Sequence, residues 1–235
     1  MKLNPGTVLT VQAAWAQILG IPRGSLAEAG TRIYREKSDS PVLMFVSLFG
    51  VGVVVGPQWA TEACRSFSDT ELASHAALLR ISAPHGGQPL GEARLYFCDS
   101  APGLPVRATP VSRDPADAVA LERSCSREDA AEVGLSEMAK TFVLLGDERS
   151  EPRPLAGSGY DVWKDHLAHM GVLTADGSRR QGHAATAVSI AVDHATRAGL
   201  IPQWRVRTDN TASIRTALRV GFMHAGSQTT VLLDP

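Results

Sequence analysis

The period of the apolar residues changes repeatedly along the chain, and the changes outline its elements. Between Thr10 and Leu19, Trp15, Ile18 and Leu19 fall on one helical face, and Gly20 follows where a left-handed stop is expected. Thr31 to Lys37 and Pro41 to Gly56 read as strands. The second run holds Val42–Val46 and Val51–Val55 around Gly50 and is rich in β-branched residues, which predicts two buried strands joined by a tight connection. It does not predict a membrane span, because it falls short of the roughly 20 apolar residues such a helix needs. Trp59, Ala63 and Phe67 recur every four residues, a helical spacing. Ser68-x-x-Glu71 is a capping-box pattern, with Leu72, Ala76 and Leu79 continuing one face of the helix it opens. Ala93 to Cys98 reads as a strand.

Ser100 to Pro105 is dense in turn formers and has no apolar period, so the domain boundary is expected there. Residues 1–104 then form a smaller N-terminal α/β domain of unassigned role, and residues 105–235 a second domain. In the second, Val106 to Val111 alternates as a strand. Asp114-Pro115 looks like an N-cap with proline at the first helical position, opening a helix to about Cys125. Ser126-x-x-Asp129 restarts helix and Gly134 ends it. Thr141–Leu145, Leu155–Trp163 and His166–Thr174 are three strands in succession, with a loop beginning at Gly146-Asp147 and a turn at Lys164-Asp165. Ala184 to Ala198 is helical, with Ala184, Val188, Ala191, Val192 and Ala195 on one face and Gly199 behind it. Trp204 to Thr208 is a strand, Asn210–Ser213 opens a short helix, Gly221 closes it, and Phe222 starts another strand. The fold class is α/β (α+β): an antiparallel meander feeding a parallel crossover, giving a mixed central sheet flanked by helices.

The stretch with chemistry in it is Arg179-Arg180-Gln181-Gly182-His183-Ala184, set between a strand and a helix. A tight glycine turn there points several main-chain N–H groups outward at the positive end of a helix dipole, a geometry that cradles phosphate. Gly182 permits close backbone approach and Ala184 is small. Arg179 and Arg180 can each add about 1–3 kcal/mol when hydrogen-bonded to an ionised group. Taken with Asn210 and Ser213 three residues apart, Gly221-Phe222 eleven and twelve residues after the Asn, and Tyr160–Trp163 and Gly171–Thr174 upstream, the order resembles the GCN5-related N-acetyltransferase (GNAT) family. The resemblance covers residues 105 to 233 and is best over 155–222.

That resemblance implies a GNAT-type sheet, acetyl-CoA as co-substrate, and transfer of an acetyl group to an amine by direct attack in a ternary complex. It implies a pantetheine arm lying along Val172, Leu173 and Thr174, in a gap where this strand diverges from the next. It places the pyrophosphate on Arg179, Arg180, Gln181, Gly182, His183 and Ala184, and an arm contact on Asn210, which also suits an N-cap. His183 either faces solvent or adds a pH-dependent contact. Many relatives place a Glu on the central strands as base; none stands at the expected place here. His169, one alternation from Gly171, is the first candidate for that work, followed by Tyr160, Asp161 and His166. The tyrosine that many relatives carry seven residues after the Asn, as acid for the departing thiolate, is Ala217 here. Its absence keeps open a non-catalytic acyl-CoA-binding or regulatory protein.

With 44% hydrophobic residues, 20% charged residues and a net charge of −1, the composition is that of a globular domain and offers no field for nucleic acid or anionic membrane. Cys64, Cys98 and Cys125 show no metal or redox spacing, so reduced thiols, no metal and a cytoplasmic location are expected. Met1–Gly6 does not open a basic-then-apolar leader. The expected acceptor is the amine of a small molecule or peptide. The oligomeric state is left open, with a homodimer compatible.

Overall fold

The computed structural model describes residues 2–100, 109–146 and 153–234. Apart from Ser100, the expected linker Ser100–Pro105 lies outside the described residues, as do the start of the expected strand Val106–Val111 and Asp147 of the expected loop. The chain divides into two compact units, each discontinuous in sequence. The first is Asn4–Tyr96 with Arg205–Thr211 and His224–Pro235; the second is Met1–Leu3, Phe97–Trp204 and Ala212–Met223.

In the first unit, α1 (Pro5–Leu19) starts with proline in its first turn and stops at Gly20, whose φ of 67° lets its N–H reach the Ala16 and Gln17 carbonyls. The helix opens five residues earlier than Thr10, because Pro5 is pre-set for a first turn even though no apolar face marks it. Strands β1 (Arg32–Glu36), β2 (Val42–Leu48), β3 (Val51–Gly56), β4 (Gln88–Phe97) and β10 (Met223–Leu232) take the order β1-β3-β2-β10-β4. Phe49 and Gly50, with φ of 50° and 82°, make the two-residue link between β2 and β3, whose backbone twist matches the strands it joins. β1 pairs parallel with β3 over all five of its residues. Every residue of β3 is buried. Leu43, Phe45, Val54, Val231 and Leu233 form a core with Ala60, Cys64, Leu72 and Leu78, the last four supplied by α2 (Gln58–Ala63), α3 (Asp69–Leu72), α4 (His75–Ser82) and the turn after α2.

The Ser68/Glu71 capping box is present, but the helix it opens is short. The single face expected through Leu79 is broken at Ser74, which caps α4 by accepting from the Ala76 N–H. Burial of Cys64 pushes its thiol up to about 11, so it is an inert core group.

In the second unit, β5 (Val111–Ser112), β6 (Lys140–Leu145), β7 (Pro154–Trp163) and β8 (Leu167–Thr174) form an antiparallel meander. β9 (Ile201–Arg207) then pairs parallel with β8. Lys164 and Asp165, both at positive φ, turn β7 into β8. α5 (Pro115–Arg123) and α6 (Arg127–Val133) are capped by the Asp114 and Ser126 side chains. They cover one face of the meander through Ala118, Leu121, Leu135, Val143 and Leu173. Gly157, Gly159 and Gly171 make that approach possible: a Cβ on Gly171 would collide with the Met138 Cε, and one on Gly157 would stand 2.8 Å from Leu121. α7 (His183–Arg197) packs on the other face, Ala187 against Leu144 and Ala156. α8 (Thr211–Val220) follows β9, and Trp204, buried at the end of that crossover, donates its indole N–H to the Ser213 hydroxyl and meets Phe222 edge-on. No helix among the described residues is long and apolar enough to cross a membrane.

Candidate functional site

Strand β8 carries the feature on which the site is built. Its parallel ladder with β9 has three rungs, Leu167–Ile201, Ala168–Pro202 and His169–Gln203, and then stops. β8 itself continues to Thr174, still paired on its other side with β7 at Ala156. The direction of its free peptide groups follows from one bond: the Ile201 N–H donates to the His166 carbonyl at 2.9 Å. Even-numbered residues therefore aim their main-chain groups at β9, and the two-residue period carries this to Met170 and Val172 beyond the last rung, whereas the Thr174 carbonyl accepts from the Cys125 thiol at 3.5 Å. An extended ligand laid there would meet N–H and C=O groups as an added strand does. The Leu173 side chain points away from this edge into the α5/α6 core; Val172 and Thr174 are half-buried.

Past Thr174 the backbone is drawn back to the meander, with the Ala175 N–H donating to Leu155 at 3.0 Å and that of Asp176 to Ser124 at 3.3 Å. Residues Asp176–Ser178 make a 3-10 turn. Arg180 then takes φ 62° and Gly182 φ 87°, after which α7 begins with no side-chain cap. Among the described residues the N–H groups of Gly182, His183, Ala184 and Ala185 meet no acceptor, as the start of an uncapped helix requires. A Cβ placed on Gly182 would meet nothing within 4 Å; glycine is called for here by the left-handed turn, and the space above it is open.

The two arginines diverge. Arg179 Nη2 lies 2.7 Å from Asp129 and 2.8 Å from Asp176. Its hydrogen bond to Asp129 raises the guanidinium further and holds the Asp129 carboxyl below its usual range. The charge expected of Arg179 is thus largely answered within the protein. Arg180 is exposed and makes no hydrogen bond or ion pair among the described residues. His183 is half-buried, its Nε2 3.3 Å from the Gln181 side-chain oxygen, and the Gln181 amide in turn donates to the Gly177 carbonyl at 3.3 Å. Asn210 belongs to the segment Arg205–Thr211 of the first unit, where its N–H donates to the Arg207 carbonyl at 3.1 Å.

The candidates for proton handling are separated by the pleat. His169 sits on the last rung of the ladder, its ring stacked on Trp163 at 4.0 Å between centroids and 18° between planes. The side-chain amide of Gln203, itself wholly buried, lies 3.3 Å from its Nδ1. Asp161, directly across from His169 on β7, accepts from the Ala139 N–H at 2.9 Å. Tyr160 is one residue out of phase and points to the opposite face. It is 2% exposed, and its hydroxyl is 2.8 Å from the Nδ1 of His194 on α7. Burial pushes the Tyr160 phenol up, and burial, with Arg113 and Lys140 nearby, pushes the His194 imidazole down. The structure therefore does not bring Tyr160 and His169 together; Tyr160 is a core residue under α7. His166 lies in the turn before β8, and Ala217 is fully buried on α8. Gln203 was missed by the sequence reading. Nothing local marks it, since its significance comes from a rung formed with a residue 34 positions away. Among the described residues no three His, Cys, Asp or Glu groups are placed to hold a metal ion.

A family model described as the acetyltransferase (GNAT) family matches residues 54–222. No curated protein matches the chain. Similar solved structures include an acetyltransferase of the GNAT family from Colwellia psychrerythraea, 15% identical with a TM-score of 0.48, over 66% of this chain and 60% of that one. A GCN5-related N-acetyltransferase from Kribbella flavida is 15% identical with a TM-score of 0.47, over 67% and 64%. For both, the match takes in less than two thirds of the neighbour's own length. A GCN5-related N-acetyltransferase-like protein from Streptococcus suis, 13% identical with a TM-score of 0.44, is matched over 86% of this chain and 87% of its own.

Proposed function

This chain belongs to the acetyltransferase (GNAT) family, and on that premise we propose that it moves an acetyl group from acetyl-CoA to the amine of a small molecule or peptide. The observation that carries the proposal is the three-rung ladder. It leaves the Val172 peptide groups and the Thr174 N–H for the pantetheine arm, with the main chain of Leu173 between them, on a path that leads to the unmatched N–H groups of Gly182 to Ala185. Those groups suit the pyrophosphate, with Arg180 as the available cation, His183 and Gln181 at its edge, and Ala184 leaving room. Arg179 contributes by holding the turn to Asp129 and Asp176. Asn210 is assigned to the arm on the family resemblance alone.

In the reaction the amine nitrogen attacks the thioester carbon, the C–S bond breaks, and the thiolate leaves with the electron pair. His169, where the strands part, is the group we assign to take the proton that the attacking nitrogen loses. The N–H of Val172 is suited to polarise the carbonyl. At Ala217 no donor is available, so the thiolate takes its proton from solvent or departs unprotonated. The proposal includes no metal and no nucleic acid. The free thiols of Cys64, Cys98 and Cys125 accord with action in the cytoplasm, as a monomer or homodimer.

The test is acetyl-CoA with a panel of amines, followed by release of free thiol, after native mass spectrometry has established that coenzyme binds. Turnover with any amine supports the proposal. Binding without turnover would leave the non-catalytic reading in its place.

A further inference from the structure

A glutamine whose side chain is wholly buried in a sheet is costly unless its amide is used, because a buried amide without partners forfeits the hydrogen bonds it had in water. Gln203 is such a residue, and its amide nitrogen is 3.3 Å from Nδ1 of His169. The two occupy the last rung of the β8–β9 ladder, so their side chains leave the sheet on the same face at the point where the strands part. Trp163 lies flat against the same imidazole, with ring centroids 4.0 Å apart. The indole sets the plane of the ring and the amide meets one of its nitrogens.

We propose that Gln203 is a positioning residue that pins His169 in a single tautomer, fixing which ring nitrogen faces the reacting groups. The proposal rests on the assignment of His169 to proton handling only for its catalytic consequence. A neutral imidazole carries one N–H and one lone pair, and which nitrogen holds the proton is set by the partner of the other. A primary amide can meet Nδ1 with its N–H or, after a half-turn of its terminal bond, with its C=O. The first leaves the proton on Nε2 and makes that nitrogen a donor. The second places the proton on Nδ1 and leaves Nε2 basic. The structure sets the amide nitrogen of Gln203 against Nδ1, the first form; proton acceptance by His169 Nε2 requires the amide to turn to the second.

The two ring nitrogens report their protonation directly in their 15N shifts, which gives a readout that a purely packing role for Gln203 would not move. The experiment compares the 15N spectrum of His169 in the full chain, above its titration, with that of Gln203→Met, which fills the volume with no amide. Gln203→Glu, whose carboxylate at neutral pH only accepts, serves as second variant should the first misfold. The expected result is one tautomer in the native protein, a mixture of two in Gln203→Met and the Nδ1–H form in Gln203→Glu. Identical tautomer populations in the native protein and a folded variant overturn the inference. Kinetics separate it from the reading beneath it: a fall in kcat of about 10-fold to 100-fold with the KM for acetyl-CoA unchanged is expected when the ring's setting is lost. A changed tautomer with native kcat would uphold the pinning and remove His169 from the reaction.

Discussion

Two parallel strand pairs among the described residues end differently. β1 and β3 pair along the whole of β1, five rungs between a buried strand and its neighbour. β8 and β9 pair for three rungs and then part, although β8 runs on to Thr174. Every rung of the first pair satisfies peptide groups within the protein. The second withholds several, and unsatisfied main chain in a sheet interior persists only where something else can meet it. The helix starts differ in the same sense: Ser68, Ser74, Asp114 and Ser126 each cap a helix with a side chain, whereas α7 at Gly182, like α1 and α2, has none.

The sharpest way to break this contrast is at Gly182. Gly182→Val is expected to weaken CoA binding by more than about 100-fold in calorimetry. A β-branched residue resists the left-handed turn and would stand in the open space over the N–H groups. Its folding should survive, since nothing lies within 4 Å to be displaced. Unchanged affinity would move the pyrophosphate elsewhere. Next in size is His169→Ala, expected to lower kcat by about 100-fold, the lower end of what a general base contributes, and to flatten the pH profile; native kinetics would take His169 out of the mechanism.

The arginines give a smaller and more discriminating effect. Arg180→Ala should cost about 10-fold in CoA affinity, equivalent to roughly 1.4 kcal/mol for a charged hydrogen bond. Arg179→Ala should cost less, since its charge is already spent on Asp129 and Asp176; the reverse order would overturn the division of labour between them. The smallest effect concerns stability alone. The folded His194 imidazole is held below its ordinary value, so the unfolded chain takes up protons first as the solution is acidified. Stability is therefore full above the unfolded value of about 6.5 and declines as pH falls towards the lower folded one. Melting temperatures between pH 7.5 and 5.5 should fall less in His194→Gln than in the native protein, and equal slopes would assign the acid sensitivity to other groups.

Local signals made much of this legible in the sequence. The strand, glycine turn and helix around Gly182 are announced by a change of apolar period and by a residue that tolerates positive φ. Caps at Asp114 and Ser126 are announced by their side chains. What was hidden depends on partners far along the chain. Arg179 read as a cation for a ligand because Asp129, 50 residues away, gave no sign of being its neighbour. Gln203 looked like an ordinary polar residue because its rung with His169 is a product of the fold. Counting outward from a two-residue turn at Lys164–Asp165 would set Tyr160 directly across from His169; the link also takes in His166, so Trp163 pairs with Leu167 and the two side chains fall on opposite faces, a register the sequence did not show. Ser74 was likewise visible as a second cap, but the unbroken spacing of Leu72, Ala76 and Leu79 concealed it.

Arg180, at φ 62°, bears a side chain in a backbone conformation that costs an L-residue about 1–2 kcal/mol. Glycine would sit there without that cost and aspartate or asparagine at less of it, yet neither brings a positive charge. If Arg180 holds the pyrophosphate as proposed, the loop trades thermal robustness for grip, and a more heat-stable form of this protein could be sought first at that one bend, with weaker hold on anions as the consequence.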